Sequence, residues 1–158
     1  MSGERFTHAI VRILDRVMPK PSLPVDAPEH LRTGRRGEED AYFYLRRRGY
    51  TMIAWNYRSP DLRGELDLVG WHGDVLCFIE VKTRTTRAVK PAQAAVDREK
   101  QNELRLMAHE FLRHMPSPCE WRFDVVAVYY DLGFEKPTFE LFQNAFSVAY
   151  NHPFAHSH

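Results

Sequence analysis

The chain has 158 residues, 44% of them hydrophobic, 27% charged and 13% aromatic, which predicts one folded domain with extensions and excludes a disordered or collagen-like chain. The formal net charge is +1, but residues 31–113 carry 16 basic against 12 acidic side chains and residues 114–158 carry two against five. A basic middle permits a phosphate-bearing partner without demanding one.

Phe6, Ala9, Ile10, Ile13, Leu14 and Val17 recur at helical spacing, with Arg5, His8, Arg12 and Arg16 between them. They predict a short amphipathic helix that docks on its own domain or on a second copy. Pro19, Pro21, Pro24 and Pro28 end it and hold a semi-rigid linker. The expected organisation is therefore a helix and linker over residues 1–28, a domain over residues 29–150 and a flexible tail over residues 151–158.

Within the domain, Ala41, Tyr44 and Leu45 mark a helix over residues 29–48, stopped by Gly49. Strands follow at residues 50–57, 65–71 and 75–83, divided by Ser59-Pro60-Asp61 and Gly73-Asp74. A second helix over residues 92–115 carries Leu104, Met107, Ala108 and Phe111 on one stripe before Pro116 and Pro118. Strands at residues 121–130 and 138–142 complete the order α-β-β-β-α-β-β. This is an α/β fold: a mixed β-sheet flanked by helices, with an extra N-terminal helix.

No apolar run approaches the ~20 residues of a membrane span, and Glu4, Arg12, Asp15 and Arg16 interrupt the N-terminus where a secretory signal would be apolar. Cys77 and Cys119 lack the number and spacing of a disulfide framework or zinc site. A soluble, cytoplasmic protein without a membrane partner is expected.

The second and third strands carry the chemistry. If Gly73-Asp74 is a two-residue hairpin loop, Asp67 falls opposite Glu80, Glu65 opposite Lys82 and Val69 opposite Phe78. Two facing carboxylates among Leu66, Leu68, Phe78, Ile79 and Val81 destabilise a sheet unless something positive offsets them. A divalent cation such as magnesium, or manganese, held by Asp67 and Glu80 does so. Lys82 lies on the same face, able to reach an attacking water or a scissile phosphate. The competing reading is a surface ion pair between Glu80 and Lys82.

Glu38 lies on the apolar stripe of the first helix, where Gly34 and Gly37 would allow a close approach to the sheet, so it could reach the same ion or cap the helix start. Lys100 could equally aim at a phosphate or snorkel to water. Arg84 continues the Lys82 face towards a nucleic-acid backbone, or is an ordinary exposed arginine. Arg122 and Asp124 read as a structural pair, and His72 and His109 have no ligand spacing.

Gly37-Glu38, Asn56-Tyr57-Arg58, Gly64-Glu65-Leu66-Asp67-Leu68, Glu80-Val81-Lys82-Thr83-Arg84, Lys100, Arg122-Phe123-Asp124 and Asn144-Ala145-Phe146 together resemble the YraN-like family, over about residues 31–146. That family is similar to archaeal Holliday junction resolvases of the PD-(D/E)XK nuclease superfamily. The resemblance implies a restriction-endonuclease-like core and a magnesium-dependent endonuclease acting on nucleic acid, with DNA the expected partner; the alternatives are a non-catalytic nucleic-acid-binding module of the same fold and an interaction protein acting through its N-terminal helix. It further implies that Asp67 and Glu80 bind the metal, Lys82 serves the hydrolytic water and Glu38 completes the acidic site. Arg58, Arg84 and Lys100 are the expected nucleic-acid contacts. A two-fold homodimer would suit a symmetric branched substrate.

Overall fold

A computed structural model of the chain describes residues 23–85, 96–131 and 136–149. The predicted N-terminal helix and the tail lie outside the described residues. The predicted order of the domain is the observed one: α1 (Glu29–Arg47), β1 (Tyr50–Tyr57), β2 (Leu66–His72), β3 (Val75–Arg84), α2 (Arg98–Leu112), β4 (Glu120–Tyr129) and β5 (Thr138–Phe142). The strands form one mixed sheet in sequential order, antiparallel throughout except for the β3–β4 pair. That parallel pair requires a crossover, and α2 supplies it. Five strands flanked by helices make a restriction-endonuclease-like core.

α1 obeys simple helix chemistry. Glu29 in the first turn and Arg46 and Arg47 in the last oppose the helix dipole. Its buried residues Gly37, Ala41 and Leu45 are spaced by four, which gives a narrow seam against the sheet. A Cβ built on Gly37 would overlap the Thr83 hydroxyl and lie 3.1 Å from the Thr83 Cβ, so glycine lets α1 touch β3 there. Gly34, predicted to serve the same approach, has nothing within 4 Å of its Cβ position.

α2 is shorter than predicted among the described residues, because Asp97 caps it: the Asp97 side chain accepts the Lys100 N–H at 2.9 Å. Its far end closes at Leu112 through a turn in which the Met115 N–H donates to the Leu112 carbonyl. Leu104, Met107, Ala108 and Phe111 pack with Leu76, Phe78 and Phe123 on one face of the sheet. Ala41 and Leu45 of α1 pack with Leu68, Ile79, Val81 and Val126 on the other. Among the described residues no helix is long and apolar enough to cross a membrane.

Candidate active site

The site forms where the hairpin opens. Gly73 takes φ +61° in the two-residue loop, and His72 pairs with Val75, Val69 with Phe78 and Leu68 with Ile79, in the predicted register. The ladder stops there, so the expected cross-strand pairs Asp67–Glu80 and Glu65–Lys82 are not part of it. The reason is local: the Asp67 side chain, rather than a backbone carbonyl of β2, accepts the Val81 N–H at 2.8 Å. β2 thereby turns a carboxylate towards β3 at the point where pairing ends.

Asp67 does not stand alone. One carboxylate oxygen from each of Glu38, Glu65 and Asp67 lies within 4.8 Å of the other two. α1, the β1–β2 loop and β2 each supply one of these groups. Burial first, then the charges of Glu80 and Glu38, hold the Asp67 carboxyl well above the ordinary carboxylate range, against the Val81 hydrogen bond. At an effective dielectric constant of about 20, two carboxylates at this separation repel by about 3.5 kcal/mol. Three such groups are costly together unless a positive partner or a proton relieves them, and Arg58 already meets Glu65 at 2.7 Å.

Glu80 is 5% exposed. Its Oε1 faces two lysines, Lys82 Nζ at 3.0 Å and Lys100 Nζ at 3.9 Å. Its Oε2 is buried and meets no hydrogen-bond partner among the described residues. A buried carboxylate oxygen without a partner is costly. The donor set fits a hard divalent cation: every candidate ligand is a carboxylate oxygen, three converge from separate elements, and a fourth carboxylate keeps an uncommitted oxygen.

Around this centre lie the predicted nucleic-acid contacts. Arg84 joins Glu38, Lys82, Thr33 and His30 in lining a cleft of about 720 Å³ between the first turns of α1 and the end of β3. The Arg84 Nε is buried without a hydrogen-bond partner among the described residues. Arg58 is engaged by the acidic cluster itself, with its Nε and Nη2 at 2.9 and 2.7 Å from Glu65 Oε2. Lys100 is drawn inward to Glu80 and Glu103.

Sequence reasoning does not assign Glu65 to the acidic cluster. Its signal is the spacing Glu65-x-Asp67, two carboxylates on one strand face, but strict alternation commits Glu65 to Lys82. Comparison with known proteins adds to the geometry. The model of the family described as "Uncharacterised protein family UPF0102" matches residues 37–128, a span that runs from Gly37 through Asp67, Glu80, Lys82 and Lys100 to β4.

The chain belongs to the UPF0102 family. This is the YraN-like group that the motifs resemble. A UPF0102 protein of Koribacter versatilis is 52% identical over 144 residues, covering 91% of this chain and 96% of the relative. One from Solibacter usitatus is 45% identical over 98 residues, 60% and 73% of the two chains. One from Pelotomaculum thermopropionicum is 40% identical over 116 residues, 72% and 93% of the two. The matched UPF0102 region contains every residue of the acidic centre.

A second polar cluster of this UPF0102 chain is structural. Asp124 is fully buried and accepts from Arg122, from the Tyr50 hydroxyl and from the Asn144 N–H. Phe146 stacks on Phe123 with centroids 4.5 Å apart, so the Asn144-Ala145-Phe146 segment closes back on Arg122-Phe123-Asp124.

Proposed function

We propose that the chain is a metal-dependent endonuclease that hydrolyses phosphodiester bonds of DNA, with branched, Holliday-junction-like DNA as its substrate. The observation that best supports this reading is the meeting of Glu38, Glu65 and Asp67 within 4.8 Å beside the Glu80–Lys82 pair. Magnesium or manganese, when bound, supplies a Lewis acid for the phosphate and lowers the pKa of a water. Asp67, Glu38 and Glu65 would hold the ion, with Glu80 offering its uncommitted oxygen.

Lys82, partly exposed and on the cleft side, would orient the attacking water and donate to a phosphate oxygen as negative charge builds there. Water adds to phosphorus in line with the departing sugar oxygen, and one phosphorus–oxygen bond replaces another. Arg84 and Thr33 line the cleft that would receive the strand flanking the reacting phosphate. The preference for branched substrates rests on the family resemblance, and so does a two-fold dimer that would present two centres to a symmetric junction.

The test incubates purified protein with branched, single-stranded and linear duplex DNA, and with RNA, in magnesium, in manganese and in chelator. Asp67→Ala and Lys82→Ala run beside the wild type. Metal-dependent cleavage by the wild type, lost in both variants, is the expected outcome. Full cleavage by Lys82→Ala would assign the activity to a contaminant or to a different site.

A further inference from the structure

Two cations from different elements converge on one oxygen of Glu80. Lys82 Nζ stands 3.0 Å from Oε1 and Lys100 Nζ stands 3.9 Å from the same atom. The Lys100 ammonium also lies 3.6 Å from Glu103 Oε2, one turn along α2. That Glu103 carboxylate sits against Gly64: a Cβ there would be 3.2 Å from Oε2, and Gly64 holds φ +93°. Gly64 immediately precedes Glu65. Lys100 and Glu103 therefore connect α2 to both arms of the acidic centre, Glu80 on β3 and the loop that presents Glu65.

We propose that Lys100 is a positioning residue that neutralises Glu80 in place of Lys82, leaving Lys82 free to serve water and phosphate. The inference rests on the nuclease reading above. Lys82 cannot stay 3.0 Å from Glu80 and also follow a reacting phosphate, and a carboxylate that loses its closest cation while buried is destabilised. Lys100 is placed to take over that charge. It is itself held: burial works against its ammonium, but Glu80, Asp67 and Glu103 outweigh burial and keep its pKa above the ordinary lysine value. A lysine committed to carboxylates on three elements acts on the substrate through Glu80 and Lys82, not by direct phosphate contact.

This role has a signature that other roles lack. Removing the Lys100 charge leaves Glu80 less neutralised, so divalent cations should bind tighter, while Lys82 stays trapped on Glu80 and turnover slows. Calorimetric titration of the full chain with manganese chloride, without nucleic acid, compares wild type, Lys100→Gln, Lys100→Arg and Glu103→Gln. Steady-state cleavage of branched DNA by the same four proteins accompanies it.

The expected result for Lys100→Gln is roughly tenfold tighter manganese binding and a fall in kcat of about tenfold or more with KM within about twofold. Lys100→Arg should restore both, and Glu103→Gln, which removes a carboxylate competing with Glu80 for Lys100, should shift manganese affinity the opposite way, towards weaker binding, by less. Glu103 is more exposed and keeps the experiment decisive should Lys100→Gln fail to fold. Unchanged manganese affinity with a raised KM would make Lys100 a phosphate contact and overturn the proposal. Unchanged affinity with only a lower melting temperature would make Lys100 structural and overturn it equally. Absence of cleavage by the wild type would remove the nuclease reading while the titration still decides Lys100, and absence of manganese binding by the wild type would overturn both.

Discussion

Asp67 is 8% exposed, gives one oxygen to the Val81 amide, and feels the charges of Glu80, Glu38 and Glu65. Such a group costs the fold stability. Asparagine at this position keeps an acceptor for Val81 and removes a negative charge from a crowded place. Asp67→Asn should therefore raise the melting temperature, by about 2–4 °C for each kcal/mol of relieved repulsion in a chain of this size. The same variant should lose cleavage. A melting temperature below wild type by differential scanning calorimetry, with the fold intact by circular dichroism, would show that the carboxylates are not in conflict.

Elements, rather than single residues, decide how that crowding arises. α1 reaches the sheet because Gly37 leaves room for Thr83, and this delivers Glu38 beside Asp67. The hairpin register is legible in the sequence, since Gly73-Asp74 between two apolar runs admits one pairing and β2 and β3 follow it. What is not legible is where the ladder ends, because a side chain competing for the Val81 amide is a tertiary event that alternation does not encode. Alternation pairs Glu65 with Lys82 for that reason, whereas Glu65 turns to Glu38, Asp67 and Arg58. Arg105 escapes sequence reasoning in the same way. It sits 2% exposed on α2 with its guanidinium donating to the Ser147 carbonyl and to Asn102 and Gln101, and the Ser147 partner lies 42 positions away.

The β1, β2 and β4 elements meet again at the opposite end of the sheet. Burial pushes the Tyr50 phenol up to about 12 against its Gln143 hydrogen bond, with Asp124 adding to the rise, and burial then Asp124 push the Cys77 thiol up to about 12. Both groups hold their protons more tightly when folded than at their ordinary values of 10.0 and 9.0. Their contribution to stability is therefore fully present below about pH 9 and is lost as the pH rises towards 12. The melting temperature should hold to about pH 9 and then fall. Tyr50→Phe should cost about 1–2 kcal/mol at neutral pH through the lost Asp124 hydrogen bond and should flatten the alkaline fall. An alkaline limb identical in Tyr50→Phe would place the titrating group elsewhere.

At the scale of the whole molecule, the acidic centre lies where the helices packed on the two faces of the sheet both reach the opening between β2 and β3. Glu38 arrives with α1, Lys100 comes with α2, and β2 and β3 part between them. The acidic centre on a five-stranded mixed sheet thus draws on α1, β2, β3 and α2, which no local stretch of sequence contains. The proposed function rests on a divalent cation at this centre, and calorimetric titration with magnesium and manganese tests it most directly. The wild type should bind a divalent cation at a saturable site, and Asp67→Asn, folded and more stable, should not. Equal binding by the two proteins, or no binding by either, would contradict the account.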